Sequence, residues 1–227
     1  MSFSHSLKER AADIWEDCYR HPFLQKMGQG TLPREIFRFY MLQDYVYLLS
    51  YAKVFAMGVL KSEEEWLMSR FAAMQDGILN GEMNLHREYM AALGITKEEM
   101  EAAKPSLYNR AYSANMLTVG QSGGAAEIIA AVLPCAWSYG EYGKRLVRDY
   151  AGQNANFYQP WIESYSSKEY EDSYQWMFDG LNRICEGQSD KRLEHIADIF
   201  IASMEFEYLF WDMAYNRQTS YLCDLKG

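Results

Sequence analysis

Among the residues of this 227-residue sequence that could do chemistry, Cys135 is the main candidate. It follows Pro134 inside a long helical pattern. Proline in a helix interior removes a backbone donor and clashes with the carbonyl four residues earlier, at a cost of about 3 kcal/mol. We therefore expect a kink near Pro134 that frees the Ala130 carbonyl and gives the cysteine sulfur a more polar setting. Tyr139 lies on the same helix face. The pattern indicates a nucleophilic thiol facing a small-molecule pocket, and the alternative is an ordinary buried cysteine.

A carboxylate is the second candidate. Asp44 lies in the middle of a segment, 33–60, whose apolar residues surround the helix axis and predict a buried central helix. Buried carboxylates are rare unless they are paired or used, because desolvation of an unpaired charge is costly. Tyr47 and Tyr51 share the face of Asp44. We favour a functional carboxylate, and the alternative is one that only accepts a hydrogen bond from a neighbouring tyrosine or arginine.

A second acidic residue, Glu207, is the third candidate. It lies in the last helical segment, about 189–216, on the same stripe as Phe200 and Phe210. Glu205 is rotated from it by about 200° around the helix axis and should face elsewhere. An inward glutamate among aromatic residues is a candidate catalytic group.

A metal site is the less favoured interpretation of Glu82, His86 and Glu88. Glu82 and His86 are spaced E-x-x-x-H, whereas the di-iron bundle motif is E-x-x-H on two helices, and no second copy occurs. We expect a partly exposed polar face with an i, i+4 pair, and neither a metal nor a cofactor. No histidine has the local signature of a cysteine hydrolase, so a tyrosine hydroxyl or an ordered water would have to activate the thiol. The cysteines lie far apart and are predicted to be free thiols: Cys18, Cys135, Cys185 and Cys223.

The elements that position these groups are predicted to be helices. The five prolines are widely spaced, and Gly123-Gly124 is the single glycine pair. Helical periodicity and capping signals predict the segments 4–19, 33–60, 62–93, 96–104, 106–120, 125–150, 154–165, 166–187 and 189–216. Capping boxes are predicted at Ser62 and Thr96. Because no linker, repeat or low-complexity tract separates the segments, we expect one all-α domain over residues 1–227.

Composition narrows the function further. Apolar residues make up 49% of the chain and aromatic residues 15%, with 18 tyrosines. A net charge of -9 makes nucleic acid an unfavoured partner, because polyanion binding needs a basic surface. No apolar run reaches the roughly 18 residues of a membrane span, and the N-terminus has no signal-peptide pattern. We expect a soluble cytoplasmic protein without a membrane partner.

Three distant segments together resemble the thiaminase II (TenA) family. They are Tyr40-Met41-Leu42-Gln43-Asp44-Tyr45-Val46-Tyr47, Leu133-Pro134-Cys135 followed by Tyr139, and Glu207-Tyr208-Leu209-Phe210-Trp211-Asp212-Met213-Ala214-Tyr215. The early His21-Pro22-Phe23 and the turn 28–33 are similar too, so the resemblance covers nearly the whole chain. It implies a haem-oxygenase-like multi-helix bundle, a homotetramer, and hydrolysis of aminopyrimidines in thiamin salvage.

The resemblance also implies catalytic roles. Cys135 corresponds to the nucleophile, Glu207 to the proton donor, and Tyr47 to the residue that makes the cysteine more nucleophilic. Glu205 is the rival acid if the register of the helix shifts. Phe206 occupies a position where relatives often have tyrosine or histidine, which removes a polar neighbour of the acid.

The remaining candidates are implied to contact the substrate. Asp44 corresponds to the carboxylate that holds the aminopyrimidine edge, Tyr112 to a residue that stacks on the ring, and Tyr139 and Tyr165 to residues whose hydroxyls contact the substrate. Tyr51, on the face of Asp44, and Phe210, on the stripe of Glu207, are further substrate-binding candidates from their helix positions. The implied reaction converts 4-amino-5-aminomethyl-2-methylpyrimidine to the hydroxymethyl compound and ammonia, with thiamin a possible slower substrate. The alternatives are a non-catalytic pyrimidine-binding or regulatory protein of the same fold and, less favoured, a di-iron oxygenase.

Overall fold

A computed structural model describes residues 2–152 and 156–220, which form helices joined by short connections and contain no strand. The all-α prediction is therefore confirmed. The helices are α1 (Phe3–Arg10), α2 (Ala12–Arg20), α3 (Pro22–Gly28), α4 (Arg34–Lys61), α5 (Glu65–Asp76), α6 (Met83–Ala92), α7 (Lys97–Ala102), α8 (Leu107–Ser122), α9 (Ala125–Asp149), α10 (Gln159–Ser166), α11 (Lys168–Cys185) and α12 (Asp190–Asn216), and a π-helical segment, Gly77–Glu82, joins α5 to α6. Within the described ranges, no helix is both long and apolar enough to cross a membrane.

The described chain divides into two compact parts. The first part consists of residues 2–32, 129–152 and 156–211, and the second part consists of residues 33–128 and 212–220. The single domain expected from the sequence stays a prediction. The expected free thiol at Cys223 and the expected helix start at Asn154 lie outside the described residues.

The second part is organised around α4, which spans 28 residues and contacts α5, α6, α8 and the π-helical segment. Its buried side chains occur on several sides of the axis, as the sequence predicts for a central helix. Gly58 allows α5 to approach closely, since a Cβ atom there would lie 2.3 Å from the ring of Phe71. This arrangement buries the middle of α4, where Asp44 lies.

Two local predictions in the second part have different outcomes. The capping box of α7 is confirmed, because the Thr96 side chain accepts from the Glu99 N–H and the Glu99 side chain accepts from the Thr96 N–H. The capping box at Ser62 is wrong. The Ser62 hydroxyl instead donates to the Gly58 carbonyl at 2.6 Å, and α5 begins later, at Glu65. The Ser62 hydroxyl therefore binds a carbonyl near the end of α4 and does not cap the next helix.

Two predicted long helices are divided. Segment 62–93 becomes α5, the π-helical segment and α6, because the backbone accommodates an extra residue per turn between Gly77 and Glu82. Gly94, at φ +68°, ends the segment as predicted. Segment 4–19 divides at Ala11, whose φ of -96° and ψ of 13° lie outside helical values. The helix over 125–150 is confirmed as α9, which continues through Pro134.

The first part places α1 and α10 against α11. Gly143 in α9 is required for the approach of α10, since a Cβ atom there would lie 2.8 Å from the Ser166 backbone nitrogen. The Tyr142 hydroxyl donates to the Trp15 carbonyl at 2.8 Å and links α9 to α2. These contacts set the positions of the tyrosines that the sequence assigns to substrate binding in this part.

Candidate active site

Asp44 is buried in α4 with 4% of its surface exposed, and its oxygen Oδ2 has two polar neighbours. The Tyr40 hydroxyl donates to Oδ2 over 3.3 Å, which is the kind of contact expected from the non-functional alternative. The closer neighbour is His86 Nε2, at 2.5 Å. Asp44 is therefore held mainly by a histidine that the sequence prediction did not connect with it.

The prediction of a partly exposed face around His86 is wrong, because His86 is 2% exposed. Its Nδ1 lies 3.0 Å from the main-chain carbonyl oxygen of Glu82. Met83 and Met90, which share its helix face, are also buried. The spacing of these three residues on the apolar stripe of α6 is the sequence signal that could have identified His86 as an inward residue.

Burial and charge act on His86 in opposite directions. Burial lowers the pKa of its imidazole, but the hydrogen bond and negative charge of Asp44, together with Glu82, raise the pKa more, and the net shift is upward. Glu88 is exposed and does not join this pair. Within residues 2–152 and 156–220, no group of three or more His, Cys, Asp or Glu side chains could hold a metal ion. That part of the chain offers no ligand set for the di-iron alternative.

Three candidate tyrosines form an aromatic group beside this pair on α4 and α8. The ring of Tyr47 stacks on Tyr51 at a centroid distance of 5.4 Å and lies 5.1 Å from Tyr112. The Tyr47 hydroxyl donates to the sulfur of Met116 over 3.6 Å. All three tyrosines are at most 3% exposed. The face of α8 that carries Tyr112 and Met116 is therefore packed on α4.

A buried polar network connects the residue next to Asp44 with the start of α8. Gln43 Oε1 accepts from the backbone N–H of Ser106 at 2.9 Å and from Asn109 Nδ2 at 3.1 Å. Gln43 Nε2 donates to the Lys104 carbonyl at 3.0 Å. Because these hydrogen bonds are directional, the network aligns α4 and α8 along their axes. It thereby positions Asp44 relative to Tyr112.

In the first compact part, Cys135 is the partly exposed cysteine, whereas Cys18 and Cys185 are buried. These three are free thiols, as predicted. Cys135 is therefore not fully buried, and its role as a nucleophile stays a prediction. The hydroxyl of Ser138 donates to the Cys135 carbonyl at 3.3 Å, within the helical turn that follows Pro134.

Glu207 points inward, as the helical register predicts: it is 2% exposed, whereas Glu205 is exposed. Its neighbours include the thiol of Cys18 and the phenol of Tyr142. Burial raises the pKa of both groups, and the negative charge of Glu207 raises it further. Both neighbours of Glu207 therefore stay protonated and neutral.

The other candidates of the first part lie in an aromatic cluster. The ring of Tyr139 is 5.0 Å from Tyr165 and 5.0 Å from Trp211, and Trp161 is 4.5 Å from Tyr165. Phe210 is buried in α12, next to Trp211 along the chain. Each of these rings is buried, so packing holds the cluster in one arrangement.

The predicted site residues therefore occur as two groups. The second part holds Asp44, Tyr47, Tyr51 and Tyr112, and the first part holds Cys135, Tyr139, Tyr165, Glu207 and Phe210. Apart from Cys135, none of them is more than 5% exposed. Buried carboxylates among tyrosines can hold a polar aromatic ligand, and a partly exposed thiol can act as a nucleophile.

Comparison with known proteins gives consistent results. Residues 8–217 match the sequence profile of the TENA/THI-4/PQQC family. An aminopyrimidine aminohydrolase from Helicobacter pylori is 44% identical over 216 residues, which cover 95% of this chain and 100% of that protein. An aminopyrimidine aminohydrolase from Halalkalibacterium halodurans is 43% identical over 218 residues, which cover 96% of this chain and 97% of that protein.

Solved structures agree with the predicted fold. The crystal structure of a TenA family transcription regulator from a Silicibacter species aligns with a TM-score of 0.88 and 30% identity, covering 94% of this chain and 96% of that one. A crystallised domain with a heme oxygenase-like fold from Shewanella denitrificans aligns with a TM-score of 0.73 at 14% identity, covering 94% and 92% of the two chains. The haem-oxygenase-like fold is therefore confirmed.

Proposed function

Since the chain belongs to the TENA/THI-4/PQQC family, we propose that it is an aminopyrimidine aminohydrolase of the thiaminase II type that acts in thiamin salvage. It is a hydrolase of C–N bonds. Its substrate is 4-amino-5-aminomethyl-2-methylpyrimidine, which water converts to the 5-hydroxymethyl pyrimidine and ammonia, and thiamin is a slower substrate. The observation that carries the proposal is the nearly full-length similarity to two aminopyrimidine aminohydrolases.

Binding of the substrate is assigned to Asp44 and to tyrosine rings. The 4-amino group and the adjacent ring nitrogen form an amidine, whose protonated form donates two parallel hydrogen bonds to a carboxylate. Tyr51, Tyr112, Tyr139, Tyr165 and Phe210 contact the ring and its substituents. Stacking on aromatic rings contributes about 0.5 to 1.5 kcal/mol beyond burial of the same area. The burial of Asp44 supports this assignment, because hydrogen bonds to a charged group are stronger where water is excluded.

Bond cleavage is assigned to Cys135 and Glu207. The Cys135 thiolate adds to a ring carbon, and the electrons of the adduct then expel the amine from the exocyclic CH2 group. Glu207 gives a proton to the departing nitrogen, takes one from the attacking water, and the thiolate leaves when the ring regains its aromatic form. Tyr47 raises the nucleophilicity of Cys135. The partial exposure of Cys135 and the inward position of Glu207 support these roles.

The proposal is tested by ammonia release from the aminomethylpyrimidine. The wild-type protein should release one ammonia for each hydroxymethylpyrimidine formed. A Cys135→Ser variant should lose about 10³-fold or more of this rate, because a serine hydroxyl is a far weaker nucleophile than a thiolate. Cys185→Ser is the matched control, since that thiol is buried and has no assigned role. Release of ammonia by Cys135→Ser at the native rate would refute the nucleophile.

A regulatory role is the second candidate, and one observation favours it. The Silicibacter relative, 30% identical, is described as a transcription regulator. Such a protein would bind a pyrimidine without consuming it, so the same ammonia assay separates the two. The net charge of -9 favours the enzyme, because binding of nucleic acid requires a basic surface. We expect no nucleic-acid partner.

The family resemblance also supports a cytoplasmic homotetramer without membrane or cofactor partners. Sedimentation of the purified protein should give a mass four times that of one chain. A mass of one or two chains would refute the tetramer and leave the catalytic assignment unchanged.

A further inference from the structure

The geometry of the buried pair of His86 and Asp44 indicates where its protons lie. His86 Nδ1 lies 3.0 Å from the Glu82 carbonyl oxygen, and a carbonyl can only accept. Nδ1 therefore bears a hydrogen. On the other side of the ring, Nε2 lies 2.5 Å from Asp44 Oδ2. Two bare lone pairs would repel at this distance, so a second proton lies between Nε2 and Oδ2.

The surroundings of the pair favour its ionised form, an imidazolium beside a carboxylate. His86 and Asp44 are 2% and 4% exposed, so neither charge can be stabilised by bulk water and each depends on the other. The titratable groups that face the pair are Tyr40 from α4, which donates to Oδ2, and Glu82, whose negative charge favours the imidazolium. The net upward shift of the His86 pKa agrees with this charge distribution.

The pair has a consequence for an amidine ligand. An ionised Asp44 offers acceptors only, whereas a neutral 4-aminopyrimidine presents one donor, the amino group, and one acceptor, the ring nitrogen. The edges match when the ring nitrogen is protonated. Without the imidazolium, the buried carboxylate would lack a compensating charge, and a protonated, neutral Asp44 would match the unprotonated ring instead.

We propose that His86 is a positioning residue that acts through Asp44: it keeps the carboxylate ionised, so that the site selects the ring-protonated form of an aminopyrimidine. This inference rests on the proposed function and deepens it. The proton on the ring nitrogen comes from solvent when the ligand binds, and it is returned when the product leaves. While it is present, the ring is more electrophilic and accepts the Cys135 thiolate more readily.

The test reads the protonation state of a bound ligand. The hydroxymethylpyrimidine product is not consumed, and its ultraviolet spectrum changes on ring protonation. At about pH 8, above the ordinary histidine pKa of about 6.5, the wild-type complex should show the protonated spectrum. His86→Gln keeps an N–H donor but removes the charge, and its complex should show the neutral spectrum. Its kcat should fall about tenfold to a hundredfold, with the pH profile of kcat/KM displaced to lower pH.

Tyr40→Phe is the matched control, because it removes the longer and uncharged contact to Oδ2 and keeps the pair. It should retain the protonated spectrum. A folded His86→Gln variant with the wild-type spectrum and pH profile would overturn the proposal, since a merely structural role leaves both unchanged. A neutral ligand spectrum in the wild-type complex would also overturn it.

A second measurement needs neither the variant nor a ligand. Nitrogen-15 spectra of the wild-type protein at about pH 8 should show both ring nitrogens of His86 protonated. A neutral ring would refute the pair even if His86→Gln does not fold. The ultraviolet spectra need only a bound ligand, the nitrogen-15 spectra need no ligand, and neither measurement needs turnover. A protein without aminohydrolase activity can therefore still pass or fail this test.

Discussion

Two of the buried carboxylates, Asp44 in α4 and Glu207 in α12, have different electrostatic surroundings. Asp44 contacts an imidazole that shares a proton with it, so its negative charge is compensated. Glu207 has near it a thiol and a phenol that burial and its own charge keep protonated. Carboxylates that are equally buried can thus serve different tasks. A carboxylate that shares a proton with an imidazole is suited to hold a cation, and one beside a protonated thiol and a protonated phenol is suited to exchange a proton during a reaction.

The side chains that accompany the two carboxylates are held in place by different interactions. In the second part, the network of Gln43, Ser106 and Asn109 aligns α4 with α8 through hydrogen bonds. In the first part, Tyr139 and Tyr165 are positioned by ring packing and by the close approach of α10 to Gly143. Hydrogen bonds tolerate small volume changes, whereas packing does not. Substitutions should therefore affect the two groups differently.

The largest effect is expected from Glu207→Gln, which removes proton exchange and keeps the size of the side chain. We expect kcat for ammonia release to fall about 10²- to 10⁴-fold, the usual contribution of a general acid or base, with little change in KM. Glu205→Gln is the control, because that residue is exposed on the same helix. If the two variants lose activity equally, Glu207 is not the proton donor.

A stability measurement on Asp44→Asn addresses the other carboxylate. Removal of one partner leaves the buried His86 uncompensated, and the free energy of unfolding should fall by about 3 kcal/mol. Because the pKa of His86 in the folded state is raised, the pair stabilises fully below about pH 6.5 and loses this contribution as pH rises through the raised value. Urea unfolding should thus show a larger difference from wild type at acidic than at alkaline pH.

The control for this experiment is Asp179→Asn, a change at an exposed position. It should alter stability by less than about 0.5 kcal/mol at every pH. A loss of stability in Asp44→Asn that does not depend on pH would show that the His86 charge is not coupled to Asp44.

The smallest effect is expected from Gly143→Ala, which tests positioning by packing. The added Cβ would lie 2.8 Å from a backbone atom of α10, so the helix must shift. We expect a loss of about 1 to 3 kcal/mol in unfolding free energy and a severalfold higher KM, because Tyr165 moves with α10. Gly77→Ala, where no atom lies within 4 Å of the new Cβ, should leave KM unchanged. An unchanged KM in Gly143→Ala would mean that this contact does not set the position of Tyr165.

Helical periodicity in the sequence was sufficient for much of the fold and for part of the site. It predicted α4 as a buried central helix, placed Glu207 inside and Glu205 outside, and identified the capping box at Thr96. These features depend on residues within one or two turns, which a linear pattern contains. Residue types and spacing indicated Cys135 as a nucleophile and Asp44 and Glu207 as functional carboxylates, and the family resemblance supplied more specific roles. The joint action of the nine candidates on one substrate stays a prediction.

Tertiary structure decided the features that depend on distant residues. The partner of Asp44 is 42 positions away in the chain, and its identity depends on α6 packing against α4. The division of segment 62–93 by a π-helical segment was likewise absent from the periodic pattern. A helical pattern specifies which face of a helix is inward, but which side chain meets it there is decided by the packing of other helices. The inward position of His86 could be predicted from the apolar stripe of α6, but its contact with Asp44 could not.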